Sequence, residues 1–508
     1  MNSQAEVQIT GFSGRVWEKD LLDCGYRIAL HKAEVELSPG NGFRFTFSMP
    51  EDGFAELDLL ARSDSDWAAT DRESAFVRLY LNEAYNQDVI LYYGSSQGVY
   101  TRLLGYLKEG DYEVYAEFRE LESAPLVSRA WIDGVELRCV ADSSPRSLIY
   151  RHTPLLYGRN LAHPYENRFT DTPLVLFYSM EENEGKTIIE YQMMFSHEDE
   201  GTPAPLLMSK WGRTTDIEWM YRVELDAGGN VLNAFFQGAH HITTAFNGNY
   251  DLGGHPVLQS ATTNGNFKDD ISSDYRFMLP PAFQWKPEEE PREAVMSRFP
   301  FAYQVTGWEM ERQQELEMPS NASSIMLAHQ RSYVFIQTSK RPLRDSSSES
   351  SPVSKPGFNR REEDACVDIE LRLHGSEQWY SSCYHDLRLG DFRAAYEGAE
   401  SHFSTTVKLS GEAVLEDIAE IRAVLLEGGA DSMEVAGLYA FTLNEENLPK
   451  FPGIRTDRVI ELTRHHPAGI LWAADKDGAG DGDYNVKRAL NRTENRAVDD
   501  PTSKDGES

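Results

Sequence analysis

The sequence is short of positive charge. Its 508 residues hold 49 Lys and Arg against 82 Asp and Glu, a formal net charge of −33. A chain this acidic repels phosphate backbones and anionic membrane surfaces, which argues against nucleic acid as a partner. No run of Lys and Arg is present to build a local exception. Long apolar runs are also missing. Nothing approaches the roughly 18 consecutive apolar residues of a membrane span. The N-terminus, Met1-Asn2-Ser3-Gln4-Ala5-Glu6-Val7, has neither a basic flank nor an apolar core, so no secretory signal is visible. The expected compartment is the cytoplasm by default, or the exterior if the start is processed or truncated.

Cysteine is scarce, with only Cys24, Cys139, Cys366 and Cys383. Cys24 and Cys139 bracket the first unit described below, and Cys366 and Cys383 sit in neighbouring strand-like segments. Two disulfides would suit an extracellular protein, whereas four buried thiols suit a reducing compartment. No Cys-x-x-Cys occurs, which argues against a thiolate zinc site. Gly-x-Ser-x-Gly, a phosphate loop and a dinucleotide fingerprint are absent as well.

Apolar material is plentiful, at 40% hydrophobic and 11% aromatic residues, enough for several cores. At roughly 150 residues per domain, the length suggests about three domains. Short stretches alternate apolar and polar residues at 33–37, 43–47, 55–60, 76–81, 89–93 and 112–118. Period-two alternation broken by Gly, Asn and Asp predicts a β-sandwich over 1–145. Segment 103–114 reads as a turn entering a strand. A second sandwich is expected over 146–290, with strands near 174–178, 187–195, 218–225 and 231–237. Asp226-Ala227-Gly228-Gly229-Asn230 is the hairpin turn joining the last two. Segment 291–343 is mixed and is expected to complete that sandwich, with a strand near 333–338. Residues 344–363 are Ser-rich and read as a flexible linker. Residues 364–474 form a β-rich region with a short helix near 392–402. Residues 475–508 read as a disordered acidic tail. The expected fold class is thus mainly β, a multidomain chain of β-sandwiches.

The densest chemistry lies in Trp211-Gly212-Arg213-Thr214-Thr215-Asp216-Ile217-Glu218-Trp219. Asp216 and Glu218 are two apart, so a strand projects both from one face. Two carboxylates side by side need a cation, an arginine or water to screen them. Oxygen ligands in that arrangement suit Ca²⁺ or Mg²⁺. Upstream, Ser196-His197-Glu198-Asp199-Glu200 supplies more oxygens at a strand end. Downstream, hairpin return would carry His240 and His241 back towards the same edge. The bland alternative is a salt bridge of Asp216 and Glu218 with Arg213 or Arg222. Asn247-Gly248-Asn249-Tyr250-Asp251 and Asn264-Gly265-Asn266 read as turns or as a polar rim for a sugar. Asp64, Asp66 and Asp71 around Trp67 read as a polar loop or a structural Ca²⁺ site. Asp475-Lys476-Asp477-Gly478-Ala479 mimics a calcium loop but lacks its fifth and twelfth ligands.

These residues resemble a known family. Gly212-Arg213-Thr214-Thr215-Asp216-Ile217-Glu218 is similar to the Gly-His-Arg-His-Asp-Trp-Glu of microbial necrosis-inducing cytolysins. Arg151-His152-Thr153-Pro154-Leu155-Leu156-Tyr157 and Gly254-His255-Pro256-Val257-Leu258 resemble segments of their vacuolar protein sorting 62 relatives. The resemblance spans about 120 residues of the second unit. It implies a divalent-cation site that docks a sugar headgroup. Carried over by position, the ligands would be Asp216, Glu218 and either Glu198 or Asp199. The family's ligand histidine falls on Arg213, which could replace the cation by pairing with Asp216 or Glu218. The first unit resembles the galactose-binding-like jelly rolls used as carbohydrate-binding modules.

The leading expectation is a non-catalytic binder of glycans or glycosylated surfaces. Its ligand site would be Arg213, Asp216, Glu218, His240 and His241, with or without Ca²⁺ or Mg²⁺. One alternative is a metal-dependent hydrolase or lyase on polysaccharide or phosphodiester, with His240 or His241 as base. Another is a structural or assembly protein.

Overall fold

The computed structural model describes residues 8–9, 12–13, 18–20, 25–160, 172–183, 185–197, 204–262, 265–313, 316–343, 367–384, 401–426 and 432–474. Glu198, Asp199, Cys24, Cys366, the 344–363 linker and the 475–508 tail therefore lie outside the described residues. Among those described, no helix is long and apolar enough to cross a membrane.

Among the described residues, three pairs of sheets form the fold beside a small two-stranded sheet of Gln8–Ile9 and Phe12–Ser13, and the mainly β, multi-sandwich architecture holds. In the first pair, one sheet orders strands Phe43–Met49, Gly110–Phe118, Ala75–Leu81 and Ala84–Leu91. The facing sheet orders Glu18–Asp20, Gly25–Leu37, Ala130–Ala141, Gly53–Ser63 and Gly98–Leu107. Phe43, Phe45 and Phe47 are buried while Arg44 and Thr46 face water, as the alternation requires. Residues 103–107 belong to a strand, so the turn expected from 103 onwards shrinks to Lys108-Glu109. Cys139 is a free buried thiol, pushed up to about 12 by burial, which goes against a Cys24–Cys139 disulfide. Asp64 accepts from the backbone N–H groups of Ser128 and Arg129, both at 3.1 Å. Asp66 accepts from Ala68 N–H at 3.1 Å, so these two carboxylates brace a polar loop.

The second pair carries the candidate site. Its larger sheet orders Ile242–Ala245, Val231–Gly238, Ile217–Leu225, Lys186–Phe195, Pro173–Asn183 and Pro281–Gln284. The 226–230 hairpin forms as expected: Asp226 Oδ1 accepts from Gly228 and Asn230 N–H at 2.8 Å, and Gly229 takes φ +79°. In the facing sheet, Leu155–Tyr157 runs parallel to His255–Ser260, with Leu155 opposite Val257. These are two of the segments on which the family resemblance rests.

The third pair is formed by Ser401–Lys408, Tyr333–Pro342, Ser432–Phe441 and Ile454–Thr463 facing Trp379–Ser381, Val367–Leu373, Ile418–Leu425 and Ala468–Ala473. Strand Tyr333–Pro342 therefore pairs here, not in the second sandwich that segment 291–343 was expected to complete. Ser401 and His402 are strand, which trims the helix expected over 392–402; its remainder lies outside the described residues.

One continuous apolar core runs through the first and second sandwiches and takes in the helix Phe301–Gln313. The third sandwich has a second core of its own, built on Val334, Ile369, Ile421 and Val435. Glu309 joins the parts. Its buried carboxylate accepts from Trp67 Nε1 at 2.9 Å and lies 3.7 Å from His197 Nδ1, while Arg312 grips it 2.5 Å away. Helix Ala204–Trp211 docks on the third sandwich, where the hydroxyls of Thr405 and Thr406 donate to the carbonyls of Ser209 and Met208 at 2.5 and 2.7 Å.

Candidate functional site

Strand Ile217–Leu225 starts with plain alternation and then breaks it. Met193 pairs with Glu218 and Gln192 with Trp219, but Tyr191 pairs with Tyr221, so Met220 is an extra residue. Such a bulge moves the residues before it to the opposite face from simple counting. Counting by two from Arg222 would put Glu218 on the outer face. The bulge instead puts Glu218 on the inner face with Tyr221, opposite Met193. Asp216 follows it there, since Phe195 N–H donates to Asp216 O at 2.8 Å. Both carboxylates thus turn inward between the sheets and are 2% and 6% exposed. The expectation that they share a face is met, but the face is the buried one.

The loop of the facing sheet closes over them. Gly265 has φ +55°, and a Cβ there would lie 2.1 Å from Asp216 Oδ2 and 2.9 Å from Glu218 Cγ. Only glycine fits this close approach in this backbone region. Gln237 Nε2 donates to Glu218 Oε2 from the next strand. Burial raises the Glu218 carboxyl above its usual range, and the nearby Arg292 opposes this most strongly, followed by the Gln237 bond and Arg213.

Arg213 is placed differently from either expectation. Its Nε pairs with Glu293 Oε1 at 3.2 Å, its Nη1 donates to Thr215 O, and its guanidinium lies 4.9 Å from the centre of the Trp211 ring. It therefore acts on Glu218 only through space, and its own carboxylate partner is Glu293. The Arg222 alternative fails on geometry, because Arg222 sits on the outer face and binds Glu190.

His240 and His241 follow the Val231–Gly238 strand, both with positive φ, +59° and +58°. Two consecutive left-handed residues other than glycine are uncommon, and here they set the direction of His241. Its Nδ1 lies 3.9 Å from Glu218 Oε2 and 3.4 Å from Asn266 Nδ2. His241 is half-buried, and burial lowers its pKa, with Asp216 opposing and Arg292 and His240 adding to the fall. His240 is exposed and makes no contact with the carboxylates among the bonds of the described residues. The structure thus brings together Asp216, Glu218 and His241 and leaves His240 at the rim. Glu198 and Asp199 lie outside the described residues, and among those described no group of three or more His, Cys, Asp or Glu is arranged to hold a metal ion.

Sequence reasoning missed Arg292, Glu293 and Gln237. Arg292 and Glu293 come from a segment about 75 residues downstream, with no motif to flag them. Gln237 could have been found, because it ends the strand that the hairpin returns. Chemically, the cluster offers inward carboxylates, two amides and, at its solvent edge, an imidazole whose pKa burial lowers.

Neither a protein-family model nor a curated protein sequence matches the chain. Solved structures similar to it are β-sandwich proteins at low identity. One is the CBM36-1 domain of a multidomain xylanase from the hindgut metagenome of Trinervitermes trinervoides, with 16% identity over 25% of this chain and 89% of that one, at a TM-score of 0.16. Another is a family 35 carbohydrate binding module from Clostridium thermocellum, with 10% identity over 25% and 90%, at 0.17. A third is NLPPya in complex with mannosamine, with 14% identity over 27% and 71%, at 0.19. The match to a ruminal GH26 endo-beta-1,4-mannanase spans only 21% of that enzyme.

Proposed function

We propose that the protein binds glycans or glycosylated surfaces without turning them over, through the mouth of the second sandwich. One observation carries this reading: Glu218, Gln237, Asn266 and His241 converge at one end of the sheets, with His240 exposed beside them. Sugar hydroxyls both donate and accept, and a small set of placed amides, carboxylates and imidazoles meets that need. The buried carboxylates hold the donors in position, and the two histidines meet the ligand at the rim. The test is a glycan array probed with the wild type and with His241→Ala and Asp216→Ala. Binding that falls in both variants supports the reading; binding unchanged in both removes this site.

The hydrolase reading draws on the 3.9 Å between His241 Nδ1 and Glu218 Oε2, which is within one-water reach. Arg292 beside Glu218 supplies a positive charge where that reading needs a cation. Metal analysis of the purified protein, with melting scans in Ca²⁺, Mg²⁺ and Mn²⁺, tests the cation that the hydrolase reading requires, and finding none removes that reading. A bound ion would raise the melting temperature by mass action.

A further inference from the structure

Three guanidiniums gather at the corner where the first sandwich meets the second. Asp88, fully buried on strand Ala84–Leu91, is the carboxylate of Arg78. It accepts from Arg78 Nε at 2.7 Å, from the Tyr85 hydroxyl, and from Arg276 backbone N–H at 3.1 Å. The Arg276 side chain has its own carboxylate, Asp251, at 2.5 Å, and also donates to Asn86 O at 2.8 Å and Tyr157 Oη at 2.9 Å.

Arg102 has no such partner. It sits on strand Gly98–Leu107 and is 3% exposed. Its one hydrogen bond runs from Nη1 to the carbonyl of its own neighbour Thr101, at 2.8 Å. Its buried Nε has no acceptor. Burial pulls the guanidinium down to about 10, against the pull of Tyr92, Tyr100 and, last, Asp88.

Arg78 and Arg276 each pair with a carboxylate, Asp88 and the half-exposed Asp251, while Arg102 pairs with none among the described residues and leaves an uncompensated positive charge. This is the reverse of a chain whose net charge is −33. A buried cation without an anion is costly, and structures seldom keep one unless something satisfies it. The Nε–Nη2 edge of a guanidinium is the fork that takes a carboxylate or phosphate side-on, and in Arg102 it carries no hydrogen bond among the described residues. We propose that Arg102 anchors a binding site for a small oxyanion, separate from the carboxylate cluster of the second sandwich. The acidic exterior favours a ligand of one or two charges over a polyanion.

The test is a set of melting scans on the full chain at constant ionic strength, with sodium chloride replaced stepwise by glucuronate or by inorganic phosphate. The expected result is a saturating rise of a few degrees with at least one oxyanion; the responding arm identifies the ligand as carboxylate or phosphate. Arg102→Gln should abolish the rise, and Asp216→Ala should leave it in place. Should Arg102→Gln fail to fold, Arg102→Lys decides: it keeps the charge but loses the fork, so the apparent affinity should fall at least tenfold. The proposal is overturned by a flat response to both oxyanions, or by a rise that Arg102→Gln or Arg102→Lys leaves unchanged.

Discussion

Gly265→Ala is the sharpest probe of the site geometry. Two separate costs meet at this position. The first is backbone: φ is +55°, and an L side chain in the left-handed region costs roughly 1 kcal/mol. The second is steric. The new Cβ would lie 2.1 Å from Asp216 Oδ2, and ordinary contact begins near 3.4 Å, so one of them must give by about 1.3 Å. Asp216 is buried at the strand start, and Glu218 Cγ, on the same face, lies 2.9 Å from the new Cβ, so neither side has room to yield. Overpacking of that kind costs about 1–3 kcal/mol. The sum is about 3 kcal/mol. Gly40→Ala is the matched control, because φ is +80° there and nothing lies within 4 Å of the added carbon. It should cost only the backbone share, roughly 1 kcal/mol. Urea titration of both variants reads the difference, with the slope checked for constancy. Equal losses in the two variants would falsify the packing of the 265 loop on the carboxylates.

Other consequences are equally direct. His152 and His255 are both lowered to about 4, mainly by burial. Their folded values lie below the usual range, so their contribution is complete above about pH 6.5 and is lost as pH falls through about 4, up to roughly 3 kcal/mol for each histidine. Urea midpoints measured from pH 7 to 4 should drop steeply, and His255→Asn should flatten the drop; parallel curves would refute the assignment. Glu309→Ala takes away the buried carboxylate that Arg312 and the Trp67 indole N–H share. A loss of about 3 kcal/mol is expected by thermal or chemical melting, and a loss under about 1 kcal/mol would show the joint to be slack. The Cys139 thiol, pushed up to about 12, should resist iodoacetamide at pH 8 in the folded protein and react once urea unfolds it, as followed by peptide mapping. Rapid native labelling of Cys139 would contradict its burial.

The strands were legible wherever burial alternates cleanly. Phe43, Phe45 and Phe47 gave up their strand from alternation alone, because one face is core and the other is water. The 226–230 turn was equally plain, because Asp, Gly and Asn are the residues that such a turn needs. The orientation of the site was not legible. The bulge at Met220 carries no Gly or Asn to announce it, and it reverses the face on which Glu218 stands. Period-two counting therefore kept Arg222 as a partner that the register removes. Arg292 and Gly265 reach the site through tertiary return alone, which one sequence cannot reveal. The same limit hid the pairing of Tyr333–Pro342, since the strands it joins start about 70 and 100 residues downstream.

The continuous core has a practical side. The first sandwich looks like a portable module in sequence, with a natural place to cut near residue 145. Besides that core, a separate apolar cluster spans the cut: Phe54, Leu103 and Val140 on one side pack with Tyr150, Leu155, Val257 and Met278 on the other. Leu103 N–H even donates to the Met278 carbonyl at 2.8 Å. Severing the chain there would strip a wall from both halves, so neither half is a building block that can be lent to another protein.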